Sequence, residues 1–338
     1  MKDFLISKYK HGRTDAFLSR RYEKRYAFVG IGQHSLSNLY PVVDYLGVPL
    51  KWIVVTDERR ARLIEEKFSG VKATADLGRV LADEEVAGVL VAASPQAHFG
   101  IATRVLDAGK WLFIEKPPCQ SLDELQRLSQ YRHAAVGLQK RYAPASKLLK
   151  KRLAKDQPLS YTLHYRTGAY PEGNALYDLF IHSIDLAVYL FGKGDVKCVN
   201  RGGNTMHVLV DHGGVAGCLE LSTGYSWSAA DEMLTVVTKS GVYTLNRMEN
   251  LDYEPNKKSV MGVPLEKVLP LRHQILQLYN RNNFSPTLAN NQVWSQGFFG
   301  EIEAFVEAVE GRRNNIITTP ADIIETYRLL ERIGGIIG

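Results

Sequence analysis

The sequence predicts a two-domain α/β protein: a doubly wound parallel sheet followed by an α+β domain with a mainly antiparallel open sheet. Three observations lead there. A glycine turn, GIGQHS, directly follows an apolar run near the start. Short apolar runs then alternate with amphipathic segments to about residue 137, as strands and crossover helices do in a parallel sheet. Beyond that point short β-rich runs are joined by Gly, Asn, Asp and Ser turns, which suits an antiparallel or mixed sheet. At 338 residues the chain exceeds one ordinary small domain. The expected divisions are a basic arm over 1–25, a dinucleotide-binding domain over 26–137 and an α+β domain over 138–338.

In chain order, YAFVGIG (26–32) reads as a buried strand entering the glycine turn. SNLYPVVDYL reads as a helix despite Pro41, LKWIVVTD (50–57) as the next strand and ERRARLIEEKF as a helix with Ala61, Ile64 and Phe68 inward. VAGVLVAAS (86–94), a helix over 98–108 and KWLFIEKP (110–117) repeat the alternation, giving a Rossmann-type domain. In its glycine turn, Gly30 permits the tight bend. Gly32 lets backbone approach a pyrophosphate, with Gln33, His34 and Ser35 at the helix start. Ser35 stands where the GxGxxG pattern has its third glycine, so the match is partial. Asp57 ends the second strand and is placed to accept hydrogen bonds from ribose hydroxyls, or else to cap the following helix. Arg59 and Arg60 next to it suit a 2′-phosphate. The expected cofactor is NAD or NADP, with NAD preferred.

Composition narrows the function classes. A 45% hydrophobic and 23% charged chain is ordinary for a soluble globular protein. No stretch reaches the roughly 20 apolar residues of a membrane span, and the first residues lack a secretory pattern. Cys119, Cys198 and Cys218 are odd in number and widely spaced, which suggests reduced thiols in the cytoplasm and no cysteine metal site. Of the net charge of +6, +5 sits in the arm, where eight basic residues face three acidic ones. Such an arm suits an acidic partner such as nucleic acid, but nothing in it is interleaved with aromatics or motif-like. A solvated or docked extension is the expected reading, with neither a nucleic-acid nor a membrane partner.

In the second half LSYTLHYR, VKCVNRG, NTMHVLVDH, VAGCLELSTGYS, EMLTVVTKS and GVYTLNR read as strands. A helix over 178–191 covers the sheet. Residues 249–295, rich in Asn, Pro and aromatics, read as a long irregular excursion that closes over a substrate. Segments 296–310 and 320–333 are amphipathic helices, the second started by Thr319–Pro320. Within ALYDLFIHSIDLAVYLFG (175–192), Asp178, His182 and Asp185 fall on one stripe of an otherwise apolar helix. The residues alone leave three readings. One is structural, with a helix cap, a core histidine and a surface carboxylate. Another is a metal site on the i and i+4 ligands. The third is acid–base chemistry, with Asp178 or Asp185 orienting His182.

Ser94, Pro95 and His98 after the fourth strand, then Gly109, Lys110, Glu115, Lys116 and Pro117 on the fifth, form an ordered set. It continues with Arg141, Tyr142 and Pro144 and ends with Asp178-x3-His182-x2-Asp185. Over roughly residues 26–192 the chain thereby resembles the glucose–fructose oxidoreductase / inositol dehydrogenase (Gfo/Idh/MocA) family. The resemblance implies an NAD(P)-dependent oxidoreductase moving a hydride between nicotinamide and a secondary alcohol of a sugar, cyclitol or related polyol. Ser94, Pro95 and His98 would line the ribose–nicotinamide end of the cofactor site, with Glu115 and Lys116 beside the nicotinamide. Arg141 would support the cofactor or substrate mouth. Substrate would lie between Lys116 and the helix carrying Asp178 and His182. His182 is the expected base and Asp178 its orienter, while Lys116 stabilises the alkoxide or takes the proton itself. No metal is required. The second domain would also join copies into a homo-oligomer through its sheet. Phe180 stands where the family commonly has glycine. The alternatives carried are an NAD(P)-binding sensor or assembly subunit without turnover, and redox-neutral NAD-dependent glycoside cleavage.

Overall fold

The computed structural model describes residues 1–19, 21–257, 259–267, 274–281 and 291–337. The basic arm forms helix α1 (Lys2–Ser19), on which Phe4, Leu5 and Tyr9 are exposed. The segment after it is docked. Tyr22 is buried and donates to Glu307, while the backbone N–H groups of Glu23 and Lys24 donate to the Glu310 carboxylate.

The first domain runs β1 (Arg25–Val29), α2 (Tyr40–Tyr45), β2 (Leu50–Val54), α3 (Glu58–Lys67), β3 (Lys72–Thr74), α4 (Leu77–Leu81), β4 (Val86–Val91), α5 (Pro95–Asp107), β5 (Trp111–Glu115), α6 (Leu122–Leu128) and β6 (Ala134–Gly137). All six strands are parallel, in the order β3-β2-β1-β4-β5-β6. The inner strands are buried on both faces, which is why their sequences are continuous apolar runs rather than alternating ones. The order reverses between β1 and β4, opening a crevice beyond their C-terminal ends. Pro41 leaves its mark in the first crossover. Lacking an N–H, it follows a wide turn over Ser35–Leu39 in which the Tyr40 N–H reaches back five residues to Ser35 O.

The second domain comprises α7 (Pro144–Leu153), β7 (Pro158–Arg166), α8 (Ala175–Asp178), α9 (Ile181–Phe191), β8 (Asp195–Gly202), β9 (Thr205–Asp211), β10 (Ala216–Ser222), β11 (Asp231–Thr238), β12 (Gly241–Asn246), β13 (Asn250–Pro255), the short pair β14 (Ser259–Val260) and β15 (Val263–Pro264), β16 (Leu276–Asn280), α10 (Gln292–Ser295), α11 (Phe298–Val309) and α12 (Ile324–Ile337). Its sheet has the order β16-β13-β12-β11-β7-β10-β9-β8, antiparallel except for the β7–β10 pair. Period-two burial decides the faces: in β9, Met206, Val208 and Val210 point inward while His207 and Leu209 point out. The inward set packs with Ile181, Ile184 and Ala187 of α9 and Tyr327 and Leu330 of α12.

Three expectations change. The helix expected over 178–191 is two helices, broken at Leu179–Phe180, so Asp178 closes α8 while His182 and Asp185 ride on α9. The stretch 249–295 is not wholly irregular, since β13 and β16 extend the sheet at its edge. Residues 258, 268–273 and 282–290 of that stretch lie outside the described ones. Finally, α11 returns from the far end of the chain to cover the first sheet. Ile302, Phe305 and Val306 pack with Tyr26 and Phe28, and the Phe305 ring lies 5.8 Å from that of Phe113.

Candidate active site

The crevice at the strand reversal holds a cavity of about 660 Å³. Gly30, Gly32, Gln33, His34, Ser35, Ser94, His98, Glu115 and Lys116 line it, together with Thr56, Arg60 and Arg104. Gly30 has φ +87°, and a Cβ there would stand 2.4 Å from Ala92 O. A Gly30→Ala substitution is therefore expected to cost about 1–3 kcal/mol in backbone strain alone, with the overlap added. Chemical denaturation checks it, and an unchanged midpoint would refute the constraint. A Cβ on Gly32 would meet nothing within 4 Å, so that backbone faces open space. Ser35, in place of the third glycine, both donates to Gly32 O and accepts from Gly32 N–H at 2.9 Å, tying the turn shut.

Asp57 and Arg59 are not among the lining residues. Asp57 caps α3 by accepting from the Arg60 N–H at 2.8 Å, an interaction that lowers its pKa. The cation that reaches the cavity from this corner is Arg60.

At the other end, Pro95 occupies the first turn of α5 and sets up His98 one turn on. His98 is buried, its Nδ1 is 2.7 Å from Pro117 O, and burial lowers its pKa. A neutral ring donating from Nδ1 thus anchors the Glu115–Lys116–Pro117 strand end and leaves Nε2 unpaired. The carboxylate of Glu115 lies 3.3 Å from His34 Nε2 and accepts the Lys116 N–H. Lys116 extends its Nζ across the domain boundary to donate to Asp178 O at 2.7 Å. Burial lowers the Lys116 pKa; Glu115 and Asp178 oppose that, and Lys140 adds to it.

Asp178 and His182 meet this strand end, but not each other in the expected way. The break at Leu179–Phe180 takes the two residues off a common helical stripe. The Asp178 carboxylate bonds instead with Tyr170 and packs so closely on Gly173 that a Cβ there would stand 2.3 Å from Oδ2. His182 Nδ1 is buried without a hydrogen-bond partner. Burial pushes its pKa well down, and the positive charges of Lys116 and Lys140 push further. Its ring is therefore neutral near pH 7. Phe180 is buried, edge-on to Tyr165 at 6.2 Å.

Arg141, expected at the cofactor or substrate mouth, is placed in the interior. It forks onto the Asp185 carboxylate at 2.7 and 2.9 Å and donates to Ile317 O and Asp322 O. Thr326 donates to the same carboxylate, so Asp185 is engaged away from His182. Lys140, next to Arg141 in sequence, is in a buried ion pair with Glu232 and 5.0 Å above the Tyr165 ring, and its charge acts on Lys116 and His182. Sequence reasoning passed over Lys140, Glu232 and Tyr170. Lys140 adjoins a motif residue and was within reach, whereas Glu232 and Tyr170 have no local pattern that marks them.

Among the described residues, no cluster of His, Cys, Asp or Glu could hold a metal, and no helix is long and apolar enough to cross a membrane. The oxidoreductase family with an NAD-binding Rossmann fold, GFO_IDH_MocA, matches residues 24–138. The chain is 28% identical over 186 residues to inositol 2-dehydrogenase of Salmonella paratyphi B, covering 51% of this chain and 55% of that one. It is 31% identical over 188 residues to the uncharacterized oxidoreductase YhhX of Escherichia coli, covering 50% and 54%. The chain thus spans about half the length of the curated relatives it matches. In fold it is similar to a levoglucosan dehydrogenase solved with NADH and L-sorbose, with a TM-score of 0.76, 15% identity and coverage of 93% and 96%. The parallel strand order and the Gly30 turn agree with the match, and residues 24–138 of this chain are similar to the NAD-binding Rossmann domain of the Gfo/Idh/MocA oxidoreductase family.

Proposed function

We propose that the protein is an NAD-dependent oxidoreductase acting on a secondary alcohol of a sugar, cyclitol or related polyol. The observation that carries this reading is the Lys116 ammonium. It stands at the end of the cofactor crevice and is held by the Asp178 carbonyl of the second domain. The residues fit the cofactor: the Gly30–Gly32 turn leaves open backbone at a helix start, and His98 Nε2 is a buried, unpaired acceptor in the lining. When bound, NAD supplies the hydride acceptor.

The chain's own residues do the rest. Neutral His182 accepts the hydroxyl proton of the substrate. Lys116 stabilises the developing alkoxide, and its lowered pKa also lets it pass on a proton. Asp178 serves through its backbone carbonyl, which fixes Lys116, and Tyr170 steadies its carboxylate. Lys140, held in a buried ion pair with Glu232, adds its charge to the burial that keeps the pKa values of Lys116 and His182 low. The names of the inositol and levoglucosan dehydrogenases support the polyol class. A panel of polyols, free sugars and glycosides with added NAD tests the reading. Accumulating NADH supports it, product without net reduction indicates the redox-neutral cycle, and cofactor binding without any product indicates a sensor.

A further inference from the structure

The three carboxylates at the corner where β2 and β3 lead into α3 and α4 are all engaged with backbone. Asp57 accepts the Arg60 N–H at 2.8 Å, Glu58 the Ala75 N–H at 3.0 Å and Asp76 the Gly78 N–H at 2.7 Å. None of the three lines the cavity, whereas two guanidinium groups do. Arg60 reaches it from the first turn of α3. Arg104 reaches it from α5, on the same helical face as Ala97 and Ile101. Neither arginine is committed elsewhere. Arg60 Nε is 4.0 Å from Asp57 Oδ2, and with side chains 62% and 53% exposed that pairing is worth little. No described residue forms an ion pair or hydrogen bond with the Arg104 guanidinium.

We propose that Arg60 and Arg104 bind the 2′-phosphate of a phosphorylated adenine dinucleotide, so that the crevice takes NADP(H) at least as readily as NAD(H). The inference rests on the NAD reading above and widens its cofactor. Glu115 and Lys116 mark the nicotinamide end, and the end of β2 is where a doubly wound sheet receives the adenosine ribose. An unphosphorylated ribose is recognised there by a carboxylate that accepts from its hydroxyls. Asp57 holds that place in the sequence, but its Oδ1 is used by the Arg60 N–H and its Oδ2 lies 3.3 Å from the Thr56 hydroxyl, which donates to it. With no carboxylate in the lining at this end, nothing repels a phosphate. Two guanidinium forks supply the charge and the planar donors that a phosphate takes.

Nicotinamide fluorescence gives the dissociation constants of NADPH and NADH for wild type, Arg60→Ala and Arg104→Ala. Wild type should bind NADPH at least as tightly as NADH. Each substitution should shift that ratio towards NADH, Arg60→Ala by about tenfold or more, as for the loss of a charge-assisted hydrogen bond. Added salt should weaken NADPH more than NADH, because the extra contact joins exposed charges. A wild type that prefers NADH, or a variant of either arginine that leaves the ratio unchanged, overturns the proposal. The oxidoreductase reading survives both results, since NADH still binds. If neither dinucleotide binds, that reading falls instead. Calorimetry with adenosine 2′,5′-bisphosphate and 5′-AMP then judges the corner alone. Tighter binding of the bisphosphate that is lost in Arg60→Ala supports the proposal, and equal binding of the two overturns it.

Discussion

Lys116→Ala should lower kcat by about 10²–10⁴-fold while leaving NADH binding nearly intact. In the proposed reading the ammonium acts where the reacting hydroxyl would lie, and NADH would keep the Gly30–Gly32 turn, Ser94 and His98 that line the cavity. The substitution also removes a positive charge that holds the His182 pKa down. Protonation of His182 becomes easier, so the acid limb of the remaining activity should move to higher pH. The sign follows from linkage: neutral His182 is the working form, and raising its pKa narrows the pH range in which it is neutral. Single-turnover rates as a function of pH on the substrate found in the panel provide the measurement. Full activity in Lys116→Ala, or reduced activity with an unmoved acid limb, would contradict the assignment.

Asp185→Ala should destabilise the fold by about 3–5 kcal/mol, because it strands the Arg141 guanidinium in the interior without its forked partner. Arg141 and Asp185 are 5% and 1% exposed, and Thr326 loses its acceptor at the same time. Replacing both partners by apolar residues, Arg141→Met with Asp185→Leu, should recover much of the loss, since the cost comes from the unpaired charge. Urea denaturation of the single and double variants decides this. A single variant as stable as wild type would mean that the pair carries no structural load. A normal fold with a shifted pH profile of turnover would return Asp185 to the orienting role that its place in the sequence suggested.

The first domain was legible because its signals are local. GIGQHS bends where only glycine fits, and the continuous apolar runs of the inner strands follow from burial on both faces. The three-residue KAT and four-residue AAVG of β3 and β6 are too short to carry a period, and neither was marked. Helical periodicity misled at residues 175–192. Spacing alone puts Asp178, His182 and Asp185 on one line, but it does not register the break at Leu179–Phe180 that sends each to a different partner. The edge strand β16 (LQLYN) and its neighbour β13 (NLDYEP) were hidden because Asn, Gln, Asp, Glu and Pro interrupt any run of apolar residues in them.

By itself the sequence determined the doubly wound sheet, the phosphate turn and the set of polar residues gathered at its C-terminal edge. Each depends on chain-local physics: steric freedom at glycine, periodic burial and the chemistry of a short motif. Tertiary structure alone decided which of those residues share the site. It turned Arg141 and Asp185 inward as a pair and brought the Lys140 charge to act on Lys116 and His182. It joined Lys116 to the Asp178 carbonyl and brought α11 from the far end of the chain to cover the first sheet. Those outcomes depend on contacts between residues far apart in the chain, where burial makes the cost of an unpaired charge large enough to choose the partner.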